Sequence, residues 1–329
     1  MSVDLGGSVT SLIWDPLADA AVVGIDDGRI CRVALDGCWS CDDHHHKAAV
    51  VALAVDPVLG LVASADAQGT VRLHAGQGHG TKIEMGSRVR SLAWAPGRQQ
   101  LAIISQAAGL VVIDLRGNRC VGLPPSRRIR VAAWHEDNPI APLIVGGAGG
   151  VSWVDPATDE PIRRRDASAG AVIAVATDPA GPWIAFGDLR GEVRLIDGRT
   201  GDETEVSGWP DAVGTIAWLP GRAEAVVAGG DEATIWAAGP DPEDAPLPPR
   251  HALPCQRITA VAPHPWRPLV ALGGDAAERH QAPVTCWNVE VDAAEAEVHV
   301  VGDVTALAWD GLGEHLLAGT RSGRVDVIR

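Results

Sequence analysis

VTALAWDGLGEHLLAGTRSGRVDVIR, residues 304–329, holds three short apolar runs, VTALAW, HLLAG and RVDVI, parted by the turn segments DGLG and TRSG. Runs of this length, rich in Val and Leu and bounded by Gly and Asp, read as three antiparallel strands joined by tight turns. Three strands bury too little surface to stand alone, so the unit must pack against others like itself. Working back along the chain, seven further copies precede it, beginning at Val9, Val50, Val89, Ile129, Gly170, Ala212 and Ile258.

One position sets the register. It is held by Trp14, Val55, Trp94, Trp134, Thr177, Trp218, Pro263 and Trp309, at successive spacings of 41, 39, 40, 43, 41, 45 and 46 residues. A period near 40 residues of all-strand units predicts an all-β fold, a β-propeller of eight four-stranded blades formed by residues 1–329 as one domain. The second run of each copy (AAVVG, LVASA, LAIIS, LIVGG, WIAFG, AVVAGG, LVALGG, HLLAG) is almost continuously apolar, as a strand covered on both faces must be. A weaker fourth strand falls between copies, around GCWSC, TKIEM, RCVGL, PIRRR, DETEVS and AEVHVV; that of the sixth blade is obscure within the Pro-rich segment at 239–254. The last copy has no fourth strand after it. SVDL at 2–5 is expected to supply it, closing the ring and removing both sheet edges.

The repeat resembles the WD-repeat family of β-propellers over the whole chain. SLIWDP, ALAVDP and SLAWAP match the family's strand ending before a Pro-containing turn, and the turns at 26–28, 66–69 and 188–191 match its Asp-containing second hairpin. The final Trp survives only at Trp236 and Trp287, with His74, Val154 and Ile196 standing in its place in other copies. His46 is the best remnant of the family's Gly-His pair. Family propellers more often have seven blades; eight here follows from the count, with the fourth and seventh copies the most divergent. The resemblance implies a rigid, non-catalytic platform that binds another protein or a peptide, with no cofactor.

Composition narrows the class further. The net charge of −15 argues against nucleic-acid binding as the main role. No apolar run is long enough to cross a bilayer, and MSVDLGGSVT lacks the pattern of a secretory signal, so no membrane association and a cytoplasmic setting are expected. In that setting the six cysteines read as reduced thiols. Lys47 and Lys82 are the only lysines among 27 Lys and Arg, Tyr is absent, and Ala, Gly and Pro abound, which points to GC-rich bacterial coding.

Two constellations carry chemistry. Cys38-Trp-Ser-Cys41 followed by His44, His45 and His46 offers ligand types suited to Zn²⁺. Cys38 and Cys41 are an odd interval apart and so face opposite sides of a strand, and the segment reads as a solvated turn with no metal. The second constellation is basic: Arg127, Arg128 and Arg130, then Arg163, Arg164 and Arg165, lie in outer-to-inner connections of neighbouring blades, and Arg190 lies in a turn of the same face. Arg donates in a planar fork suited to carboxylate or phosphate, so these seven form the expected partner-binding patch for an acidic segment. The structural alternative is that some alternate along the fourth strand and pair with nearby acids. Glu278, Arg279 and His280 form an enlarged turn on that face. The acidic segments at 197–205, 241–244 and 290–297 read as protected edges. GGAGG at 146–150 lies between strands and reads as a tight hairpin, not a phosphate loop. The alternative function is an enzyme or metal-dependent catalyst with its site in the central channel or at Cys38–His46. By itself the chain is expected to be a monomer, or else one subunit of a larger complex.

Overall fold

The computed structural model describes residues 1–42, 46–74, 81–115, 120–123, 128–135, 142–156, 161–165, 170–206, 212–238, 250–253, 255, 257–276 and 280–329. Its strands form eight four-stranded antiparallel sheets, each a meander, arranged as the blades of a propeller. The inner strands are Val9–Asp15, Val50–Val55, Val89–Ala95, Ile129–Trp134, Val172–Thr177, Thr215–Trp218, Ile258–Pro263 and Val304–Trp309, and they touch one another in a closed circle. The divergent fourth and seventh copies form complete blades. The obscure outer strand of blade 6 is Arg250–Ala252, inside the Pro-rich segment. No helix among the described residues is long and apolar enough to cross a membrane.

The ring closes at blade 8. Ser2–Asp4 pairs antiparallel with Arg324–Ile328, Val3 opposite Val325, and the Val327 N–H donates to the Met1 carbonyl. Val3 and Leu5 are buried in an apolar cluster with Val9 and Val23 of blade 1 and Leu317 and Val325 of blade 8. Other clusters likewise span neighbouring blades, for example Leu110 and Leu123 of blade 3 with Trp134 and Leu143 of blade 4. The core therefore sits in the seams between blades, and each blade is stable only with its neighbours.

The register Trp acts across these seams. The indole N–H of Trp134 donates to the Ala93 carbonyl at 2.8 Å, that of Trp218 to Ala176 at 3.1 Å, and that of Trp309 to Ala262 at 3.0 Å. Each acceptor lies one residue before the register position of the preceding blade, so the repeat supplies both halves of the bond. Each such bond contributes about 1 kcal/mol, beyond the burial of the ring.

A feature invisible in the apolar pattern recurs at the top of the inner strands. Seven of them shift register just after their first residue, leaving one extra residue: Thr10, Val51, Arg90, Arg130, Ile173, Thr259 or Thr305. A bulge re-aims the side chain it carries. Because strands alternate in direction, these bulges, the outer-to-inner connections and the second-to-third strand turns share one face, here called upper. The first-to-second and third-to-outer turns share the lower face.

Candidate functional site

Blades 3 and 4 carry the same tripeptide at the same place. Arg88-Val89-Arg90 precedes Trp94 as Arg128-Ile129-Arg130 precedes Trp134. In both, the second Arg is the bulged residue. Arg128 has φ +47°, a left-handed conformation uncommon outside glycine, and its side chain is exposed. Arg90, Arg128 and Arg130 together line a cavity of about 200 Å³ with Ser105, Gln106 and Gly109. None of the three guanidinium groups has a carboxylate partner among the described residues. The Ser105 hydroxyl is already engaged by Ser87, Oγ to Oγ 2.7 Å.

A second cavity, of about 250 Å³, adjoins the first through Arg128 and Ile129 and reaches Arg164. The stretch Gly146–Gly150 leaves this space open. It forms the tight hairpin read from the sequence, Gly147 opposite Gly150. A Cβ at Gly149 would stand 2.5 Å from Arg164 Nη2, and Arg164 donates to the Gly149 carbonyl at 3.2 Å. The two cavities form one Arg-lined notch on the upper face. Local potential dominates within a Debye length of about 8 Å, so the described arginines weigh more at the notch than the net charge of the chain does.

The seven arginines singled out in the sequence do not all join it. Strand alternation separates Arg164 from Arg163 and Arg165, as opposite faces of one strand require. Arg163 lies over the Trp153 ring at 5.4 Å, and Arg165 donates to the Gly201 carbonyl at 3.0 Å, both directed at blade 5. Arg190 is exposed on the upper face, one blade further on. Arg127 lies outside the described residues, as do Glu278 and Arg279; His280 is exposed. Arg90 shares SRVRSLAW with Arg88 alone and lies outside any run of adjacent arginines; its position four residues before Trp94, matching Arg130 before Trp134, is the signal the sequence holds.

The Cys38–His46 segment is dispersed. Cys31 and Cys41 face each other across adjacent strands of blade 1 and are bonded through their sulfurs, which corrects the expectation of six reduced thiols. That expectation weighed each cysteine by compartment, whereas register decides which two can meet. Cys255 remains a thiol, and burial pushes it up to about 11. Cys38 is exposed; its hydrogen bond with Asp36 raises its pKa. His44 and His45 lie outside the described residues.

His46 belongs to a buried hydrogen-bonded quartet. Its Nδ1 meets Asp66 Oδ2 at 3.2 Å, its Nε2 meets Ser64 Oγ at 2.7 Å, and Ser64 Oγ meets His74 Nε2 at 2.8 Å. Asp-His-Ser is the order that activates a nucleophilic serine. Here Ser64 and Asp66 are 0% exposed, so no substrate reaches them. The His46 N–H donates to the Gly28 carbonyl, so the quartet fastens the hairpin of blade 1 to blade 2. The inner strands, which ring the channel, carry three ionisable side chains: Asp15, Arg90 and Arg130. Asp15 accepts the N–H groups of Leu17 and Ala18 within its own turn.

On the lower face, the residue after the register position caps the turn in five blades, as Asp15, Asp56, Asp178, His264 and Asp310. His264 does so in blade 7: its Nδ1 accepts from Trp266 N–H at 3.0 Å and Arg267 N–H at 2.9 Å, so its Nε2–H donates to the Gly313 carbonyl at 2.9 Å. Burial, opposed by the Gly313 bond, lowers the His264 pKa from its ordinary value near 6.5. The folded state thus binds the proton less well than the unfolded chain. The stability tied to neutral His264 is present above about pH 6.5 and lost as pH falls below it toward the lowered folded value. Melting temperature is expected to fall more steeply between pH 7 and 5 in the wild type than in His264→Asn, whose amide can cap the turn without titrating there. Identical pH profiles would rule this out.

No protein-family model matches the sequence, and no curated relative does. Solved structures do match in fold. A chain in a crystal structure titled as the mitotic checkpoint complex superposes with a TM-score of 0.65 at 14% identity, covering 100% of this chain and 90% of that one. At that identity the likeness is one of propeller fold.

Proposed function

We propose that this chain is a non-catalytic, WD-repeat-like propeller that serves as a protein-interaction platform and docks an acidic segment of a partner protein on its upper face. The observation that carries this reading is the set of Arg90, Arg128 and Arg130 around one cavity with no carboxylate partner among the described residues. Arg164 extends the notch, and Arg190 is exposed on the same face one blade further on. Like charges gathered with no counter-ion among the described residues repel one another slightly and favour any anion that fills the space. The superposition on a chain from a multiprotein complex fits such a role, by analogy of fold.

A synthetic peptide rich in Asp and Glu serves as the probe, titrated from low to moderate salt. Wild type is expected to bind it with an affinity that falls as salt rises. Arg128→Ser combined with Arg130→Ser should weaken binding by about tenfold or more, roughly 1.4 kcal/mol, and flatten the salt dependence. Arg163→Ser with Arg165→Ser should leave both unchanged. Absence of wild-type binding, or a notch variant with the original affinity and slope, ends this reading.

A further inference from the structure

The lower face has a different chemistry. Of the eleven exposed large apolar side chains among the described residues, six lie in its turns, and they are confined to neighbouring blades 7, 8, 1 and 2. Trp266 is 76% exposed, Leu312 72%, Leu17 64% and Val58 61%. Leu59 stands beside Val58, and Val291 occupies the third-to-outer turn of blade 7. Residues this apolar are ordinary when scattered singly on a surface, and informative when contiguous.

These are contiguous because turns of neighbouring blades meet at glycines, and at the seam of blades 8 and 1 a Cβ at Gly311 would stand 3.5 Å from Trp14 Nε1. Trp266 Nε1 donates to the Gly311 carbonyl of blade 8 at 3.2 Å. A Cβ at Gly60 of blade 2 would stand 2.9 Å from Leu17 Cδ1, and one at Gly97 of blade 3 would stand 3.6 Å from Val58. The turns therefore overlap like shingles, and their apolar tips form one arc over four blades. The arc is fixed by the ring beneath it, so ordering it for a partner costs little entropy.

The charges around it are mainly acidic. Asp19, Asp36, Asp292 and Glu314 are exposed in these same turns, as is Glu290, which pairs with Arg222 of blade 6 at 2.6 Å. The basic side chains at this end of the four blades include Arg267, ion-paired with Glu295 at 2.8 Å, and Arg329, whose Nε donates to His315 Nε2 at 3.2 Å. A second copy of the chain using the same face would set these acids against one another. We infer that the lower face of blades 7, 8, 1 and 2 docks an apolar segment of a partner protein flanked by Lys or Arg. The complement of an acidic border is basic, and the complement of the Trp266–Leu312–Leu17–Val58 arc is apolar. This surface is independent of the Arg-lined notch on the opposite face.

The probes are two short amphipathic peptides with the same Leu and Trp face, one flanked by Lys and the other by Glu, titrated against the full chain. The Lys-flanked peptide should bind about tenfold more tightly or better, and lose that advantage as salt rises. Trp266→Ser with Leu312→Ser should weaken it by about tenfold or more, as loss of two central anchors does. Arg128→Ser with Arg130→Ser should leave it unchanged, which separates this surface from the notch. If the first pair of substitutions harms the fold, Leu17→Ser with Val58→Ser reads the other end of the same arc. Equal binding of the two peptides overturns the inference, as does full affinity in a folded variant. Concentration-dependent self-association in sedimentation that the Trp266 and Leu312 substitutions abolish also overturns it, since a second copy would then be the occupant.

Discussion

Removing Met1–Leu5 is expected to lower the melting temperature by about 6–12 °C. The deletion exposes what Val3 and Leu5 now cover, at about 1.5–3 kcal/mol for each buried side chain. A chain of this size loses roughly 2 °C per kcal/mol. It also strips the outer strand from blade 8 and leaves Arg324–Ile328 as an open sheet edge. Arg29 loses its acceptor too, since Arg29 Nη2 donates to the Leu5 carbonyl at 2.9 Å. The effect should be local before it is global: the Val327 amide, which donates to Met1, should lose hydrogen-exchange protection, while the second strand of blade 5, Trp183–Asp188, keeps its own. An unchanged melting temperature with a protected Val327 amide would show that the ring does not depend on this strand.

That closure was legible because it rests on the same signal as the rest of the fold, a missing strand in the last copy and a spare one before the first. Blade count and seven of the eight outer strands followed from periodicity, even in blades whose Trp is lost; that of blade 6 stayed obscure within its Pro-rich segment. What escaped was information carried by single residues against an otherwise regular pattern. The extra residue in seven inner strands leaves the apolar run intact, so the apolar pattern of VRSLAWA does not mark Arg90 as the residue that turns into the notch. The arginine runs at 127–130 and 163–165 were visible, but which of them share a face depends on strand alternation and neighbouring blades, and Arg163 and Arg165 went the other way. Cys31 and Cys41 meet through a register that no spacing rule states. The lower-face arc was hidden in plain turn sequences such as DPLAD and DPVLG, where Leu17, Val58 and Leu59 read as turn filling until the blades are placed side by side.

The two faces then differ in kind, and the ring explains why one chain can hold both. Seams bury the core, so turns on either face are free of packing duty and vary independently. Blades 3 and 4 present Arg90, Arg128 and Arg130 above, with no carboxylate partner among the described residues, and blades 7, 8, 1 and 2 present apolar tips with acids below. On the two proposals, an acidic and a basic partner would engage opposite faces without competing for a surface.

What holds such turns in place is most concentrated at Asp66, and Asp66→Ala is expected to cost about 3–5 kcal/mol, the range for removing one member of a buried polar or ionic pair. Asp66 Oδ1 accepts the N–H groups of Gln68 at 3.0 Å and Thr70 at 2.8 Å, and Oδ2 faces His46. The substitution therefore undoes the turn cap and strands His46 in a site closed to water. Blade 5 supplies the internal control. Asp188 occupies the matching position and caps Arg190 and Glu192 N–H at 2.8 and 3.0 Å, with no histidine against it among the described residues. Asp188→Ala should remove the cap alone. Asp66→Ala should exceed it by about 1.5–3 kcal/mol, the worth of a hydrogen bond involving a charged group. In thermal melts this separates the two variants by about 3–6 °C. Equal losses would mean that His46 adds nothing to the hold of blade 1 on blade 2. A larger loss in Asp66→Ala, matched by His46→Ala, would place the fastening in the quartet, where the Gly28 turn, His46, Ser64 and Asp66 meet.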